Sequence, residues 1–185
     1  MVRWEPETRE RLREAALDLY LANGYDDTTV TQIAQSVGVT ERTFFRHFAD
    51  KREVIFGGSD LLQQEFSSGV ASAPEGSPLD MVAHAVLGSS YFPEERRPWS
   101  RRRQALITSH PELKERELNK MATLAGVLAQ ALRDRGVTEP AATLAAESGV
   151  TVFRLAFDEW VADGSTRTLA EIERGLFAAL KGLSG

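Results

Sequence analysis

The chain has 185 residues, no cysteine and a formal net charge of −5. That length can bury a good core and predicts one small and one larger domain, while the missing cysteines exclude a disulfide framework and thiolate chemistry and suit the cytosol. No apolar run approaches the ~20 residues that span a bilayer, and the N-terminus lacks a signal peptide's apolar core, so a cytoplasmic location without a membrane partner is expected.

A first helix is predicted where Leu12, Ala15, Ala16, Leu19 and Tyr20 recur at helical spacing, closed by Gly24 just past its C-cap. Its outer residues Arg9, Glu10, Arg13, Glu14 and Asp18 read as a solvated charged face. Thr29 and Gln32 form a T-x-x-Q capping box that opens a second helix at Val30. Ile33, Ala34 and Val37 give that helix one apolar face, and Gly38 supplies the tight or left-handed residue that ends it. Thr40 caps a third helix, with Glu41 in the first turn, where the helix dipole favours an anion. At ~100° per residue Phe44 and Phe48 point inward, while Arg42, Thr43 and Arg46 lie opposite, flanked by Phe45 and His47.

Two short helices around a glycine turn, the second with such a face, make a helix-turn-helix that offers side chains to the DNA major groove. Arginine can bind guanine O6 and N7 with two bonds, and threonine can touch phosphate or a thymine methyl. The plainer alternative is a solvated amphipathic helix; the caps, the turn and the preceding helix argue against it. Residues 40–52 carry Arg42, Arg46, Lys51 and Arg52 against Glu41 and Asp50, a balance of +2, which leaves −7 elsewhere. Acidity away from the contact face repels a duplex, so steep salt dependence and site selectivity are expected.

Asp50-Lys51-Arg52-Glu53 reads as another capping box, opening a helix from Lys51 to about Ser72 with Val54, Ile55, Leu61, Leu62, Phe66 and Val70 inward. Gly57-Gly58 interrupts it, each glycine costing about 1 kcal/mol relative to alanine. The pair is either a hinge or a close approach to a neighbouring helix. Ser77 then caps a helix with Pro78 at its first position, ending near Ser89, and Tyr91-Phe92-Pro93 leads to a short piece. Pro98 opens a helix to about Ser109, and the next runs from about Pro111 to Arg135, closing at Gly136. Thr138 is expected to begin a long helix to Asp163-Gly164, about 37 Å in length. Thr168 and Glu171 cap a last helix that reaches the C-terminus. No period-2 strand, internal repeat or long low-complexity tract interrupts the helical pattern.

The first 56 or so residues resemble the DNA-binding domain of TetR-type (tetracycline-repressor family) regulators. The matching residues are Asn23-Gly24-Tyr25, Thr28-Thr29-Val30, Ile33-Ala34 through Val39, Thr43-Phe44-Phe45-Arg46-His47-Phe48, and Lys51. The resemblance implies an all-α fold of about nine helices, forming a homodimer. A three-helix helix-turn-helix domain over residues 1–50 would join a larger helical bundle over 51–185 for ligand binding and dimerisation. By the same resemblance Thr29, Thr31, Thr43, His47 and Lys51 contact phosphates, while Glu41, Arg42 and Arg46 face base edges or their flanks. Thr40, at the cap, and Phe45 complete the set. Phe45 stands where the family often has tyrosine; lacking a hydroxyl for phosphate, it would pack on sugar or a thymine methyl.

The long helix is apolar on more than one face, through Leu144, Val150, Val152, Phe153, Ala156, Phe157, Trp160 and Val161, with small residues Ala142, Ala145, Ala146 and Gly149 at its front. The last helix carries Leu169, Ile172, Leu176, Phe177, Leu180 and Leu183 at spacings of three and four. Such helices pack a core and something else; the resemblance implies a second subunit, pairing through the last two helices. A dimer puts two reading helices on one DNA face, so double-stranded DNA with a palindromic operator is the expected partner.

The run Arg96-Arg97-Pro98-Trp99-Ser100-Arg101-Arg102-Arg103 leaves three readings open. It is a solvated face, or an anion clamp with Trp99 as its wall, or a partner of the first helix's acidic face that transmits ligand state. The segment from Arg101 to Glu117 is also similar to C-terminal domains of one regulator subgroup. The family implies an apolar pocket for a small-molecule effector. Candidate lining residues are Phe66, Met81, Val86, Trp99, Arg103, Leu106, Met121, Leu124 and Phe153, for which ordinary core packing is the alternative. His84 and His110 have no second ligand at metal spacing, and no cofactor is expected. The chain has no cysteine nucleophile, H-E-x-x-H, G-x-S-x-G or phosphate-binding glycine loop, so no enzymatic activity is expected. The expected function is a sequence-specific DNA-binding transcriptional regulator, a repressor that leaves its operator when the effector binds. The alternative is an architectural DNA-binding protein without a ligand.

Overall fold

A computed structural model of the chain describes residues 5–183. Within them the chain forms ten α-helices, a 3-10 turn at Glu94–Arg96 and no strand. Two compact units share them: one takes the chain up to Gly58 together with Arg102–Lys114, the other Ser59–Arg101 and the chain from Glu115 onward.

The first unit holds α1 (Glu5–Asn23), α2 (Val30–Ser36), α3 (Glu41–His47) and α4 (Glu53–Phe56). It also includes the end of α7 (Arg97–Ser109) and the start of α8 (Pro111–Asp134). α1 buries Leu12, Ala16, Leu17 and Tyr20 and packs against α2 and α4. Ala15 and Leu19 are only partly buried, because Leu17 takes the adjoining inner position. The outer face of α1 is less solvated than expected. The Arg9 guanidinium lies 5.5 Å over the Phe48 ring, Arg13 pairs with Glu10 at 3.0 Å, and Asp18 accepts from Arg102. Both arginines lay their apolar stems along the unit.

The expected single helix from Lys51 to Ser72 is two helices, α4 and α5 (Ser59–Ser72), which is why there are ten among the described residues. A Cβ on Gly57 would stand 2.8 Å from the Phe48 ring, so Gly57 makes a close approach, while Gly58 takes φ +102°. Asp50 Oδ1 accepts from the backbone N–H of Arg52 and Glu53 at 2.8 and 2.9 Å, but regular helix starts only at Glu53. Leu61, expected inward, is 58 % exposed.

The second unit is built from α5, α6 (Pro78–Leu87), the start of α7, most of α8, α9 (Ala141–Val161) and α10 (Leu169–Gly182). α6 lies against α5, α9 and α10. A Cβ on Gly149 of α9 would meet Val82 Cγ1 of α6 at 2.2 Å, so those two helices touch backbone to side chain. Ser77 with Asp80, and Thr168 with Glu171, form complete capping boxes. The long helix begins at Ala141, not Thr138. Its length is therefore about 31 Å at 1.5 Å per residue. Leu144, expected to pack, is 62 % exposed, whereas Val150, Val152, Phe153, Ala156, Phe157, Trp160 and Val161 are buried within the chain.

Candidate nucleic-acid interface

The reading surface begins with two caps. Thr29 and Gln32 close a complete capping box on α2. Thr40 Oγ1 accepts from the Thr43 backbone N–H at 3.2 Å and starts α3. Between them Gly38 takes φ +73°, the left-handed region that a side chain would resist. Ile33, Ala34 and Phe44 are buried at the joint, and Phe48 follows. Arg11 of α1 donates to the Val37 carbonyl at 2.8 Å, satisfying a carbonyl at the end of α2.

With Phe44 and Phe48 inward, the opposite side of α3 faces outward. Glu41, Arg42, Phe45 and Arg46 are exposed, as are Thr29, Thr31 and Thr40. Phe45 is 51 % exposed and meets the buried Phe44 ring edge to face at 5.5 Å. Thr43 and His47 are half-buried at the edge. The structure thus places nine of the ten expected DNA-binding residues on α2, α3 and their caps. Four hydroxyls are already engaged: Thr29 donates to Gln32 Oε1 at 3.1 Å, Thr31 donates to the Glu41 carboxylate, and the Thr40 and Thr43 hydroxyls lie 3.2 Å apart.

Lys51 sits differently. Its ammonium donates to the carbonyls of Tyr25, Asp26 and Thr28 at 3.0, 3.2 and 3.4 Å and lies 4.4 Å from the Tyr25 ring centre. Tyr20 donates to the Lys51 carbonyl at 2.6 Å, and Thr28 to the Gly24 carbonyl at 2.7 Å. Burial, then the nearby Tyr25, push the Tyr20 phenol upward, so it stays a neutral donor. This cage fixes the loop from α1 to α2. Local sequence shows Lys51 and Thr28 but not the cage, since its partners lie 23 to 31 residues apart.

The arginine run is neither a free anion clamp nor a solvated face. Arg97 donates to the Ser165 carbonyl at 2.8 Å and lies 5.2 Å over the Trp160 ring. Arg101 donates to the carbonyls of Val161 and Ala162 at 2.7 and 3.0 Å, capping the end of α9. Arg102 pairs with Asp18, and Arg103 donates to the Ile55 carbonyl at 2.8 Å while stacking 5.0 Å over Phe56.

Of the expected ligand-lining residues, Phe66, Met81, Val86, Leu124 and Phe153 share one core, with Met121 packed at its edge. Phe66 and Phe153 meet edge to face at 5.5 Å. Trp99 lies outside that core, under the Arg96 guanidinium at 5.0 Å. Arg103 and Leu106 belong to the first unit, so the structure does not gather all nine in one unit.

Residues 12–56 match the profile of bacterial regulatory proteins, tetR family, and residues 76–184 match that of the MftR C-terminal domain. The chain belongs to the TetR family. The second match alone spans more than half the sequence. Among curated relatives, the HTH-type transcriptional regulator TcmR of Streptomyces glaucescens is 45 % identical over 85 residues, 44 % of this chain and 38 % of TcmR. That alignment thus spans little over a third of TcmR. The transcriptional regulator MftR of Mycobacterium tuberculosis is 25 % identical over 162 residues, covering 85 % of this chain and 82 % of MftR. A crystal structure of a regulator from Syntrophomonas wolfei assigned to the TetR family shares the fold, with a TM-score of 0.64 at 16 % identity over 96 % of this chain and 95 % of that one. No described helix is long and apolar enough to cross a membrane.

Proposed function

We infer that this TetR-family protein is a cytoplasmic, dimeric repressor that reads a palindromic operator through α3 and releases it when a small molecule binds its larger domain. One observation carries the DNA reading: a capped helix whose outward side is Glu41, Arg42, Phe45 and Arg46, braced by two buried phenylalanines. Residues 1–50 are proposed as the DNA-binding domain and 51–185 as the ligand-binding and dimerisation domain. Arg42 and Arg46 are assigned to base edges, Thr29, Thr40, Thr43 and His47 to positioning on phosphates, and Phe45 to sugar or a thymine methyl. Lys51 contributes positive charge while holding the loop. Pairing through α9 and α10 is supported by Leu144, Thr151 and Leu155, which recur on one exposed side of α9.

The aromatic core around Phe66 and Phe153 is the proposed effector site, opened by repacking. The Arg102–Asp18 pair is the proposed carrier of effector state to α1. Release requires the effector to favour the non-DNA conformation, and the effect can be no larger than that preference. The test is selection of bound duplexes from a random pool by the full chain, followed by titrations at several salt concentrations. An inverted repeat and a steep fall of affinity with salt are expected. Equal retention of unrelated duplexes would support an architectural role and overturn this reading.

A further inference from the structure

The outward side of α3 carries one anion among its cations, on a surface proposed to meet phosphates. Glu41 is exposed in the first turn, and its carboxylate accepts the hydroxyl of Thr31 from α2. At ~100° per residue, Glu41 shares a flank with Phe45, next to the Arg42 and Arg46 row, with Thr43 and His47 on the far flank. An ionised carboxylate only accepts hydrogen bonds, so every phosphate repels it. In the major groove it is satisfied by an exocyclic amino group. Adenine offers one beside the N7 acceptor, which opposes a carboxylate; cytosine offers N4–H2 with no acceptor on its own edge. A hydroxyl has a single hydrogen, and Thr31 gives it to Glu41, so Thr31 is not at the same time a phosphate donor.

We propose that Glu41, held in place by Thr31, is a specificity-determining residue that selects cytosine at one position in each operator half-site. The inference rests on α3 being the reading helix, and Thr31 is a positioning residue within it. Binding is measured by fluorescence anisotropy with the full chain on the selected operator, every base pair being replaced in turn by the other three. Wild type loses about tenfold in affinity when one symmetric cytosine is replaced. Glu41→Ala erases the preference at that position alone and tightens binding to a random duplex. Glu41→Gln moves the preference there towards adenine, because an amide pairs with both N6 and N7. Thr31→Val weakens the same preference and Thr31→Ser restores it, with unchanged unfolding midpoints. An identical base profile for wild type and Glu41→Ala overturns the proposal, as does a Thr31→Val loss spread evenly over all positions. Failure of wild type to select any duplex defeats the reading-helix assignment first, and the two failures are told apart by that control.

Discussion

Glu173 is 3 % exposed on the inward side of α10, and burial pushes its carboxyl up to about 8 against a smaller lowering by Arg174. In an unfolded chain a glutamate titrates at about 4.3. The fold therefore holds the proton more tightly than the unfolded chain does. Its contribution to stability is full below about pH 4, declines as pH rises and is lost by about pH 8. Glu173→Gln removes that decline and gains on the order of a few kcal/mol over wild type at pH 8. Urea unfolding at pH 5 and pH 8 reads the difference; parallel losses in both proteins would contradict it. At this scale the sequence is uneven. Phe44, Phe48 and the exposed arginines follow from helical spacing alone. The hydrogen bonds of Thr31, Lys51 and Tyr20 do not, because a side chain's partner across the fold leaves no trace in its neighbours.

Helices in this chain are legible chiefly through their ends. Thr29, Thr40, Ser77 and Thr168 cap where their spacing places them, since a cap is a contact within four residues. Ser77→Ala should cost ~1 kcal/mol in urea unfolding without altering operator affinity, whereas Thr40→Ala costs a similar amount and also weakens operator binding. Equal operator affinity for both variants would remove Thr40 from the reading surface. Close approaches are less legible. Gly149 reads as one small residue among several, yet a Cβ there would collide with buried, β-branched Val82, which has little rotamer freedom to yield. Gly149→Ala is expected to destabilise by about 1–3 kcal/mol, measured by thermal unfolding, and a neutral result would mean that α6 and α9 shift apart freely. The arginine run illustrates the opposite limit. Arg101 and Arg103 satisfy carbonyls at the ends of α9 and α4, which no local charge pattern can announce.

For the whole chain, an all-helical architecture follows from uninterrupted helical periodicity and the absence of alternating strands. Membership of the compact units does not follow in the same way. Leu106, Ile107 and Leu113 are buried and apolar, but nothing in their spacing says that they join the first unit. The outer row of α9 poses the same problem for assembly: Leu144 and Leu155 are exposed in a single chain, and the proposed two-fold pairing covers them. That pairing delivers α3 twice to one face of a duplex. Dimethyl sulfate reports guanine N7 in the major groove, where Arg42 and Arg46 are proposed to bind. On the selected operator, the account predicts protected guanines at two symmetry-related positions one helical turn or a multiple apart, all lost with Arg46→Ala. Tight binding with no N7 protected, or protection in one half-site alone, would contradict it.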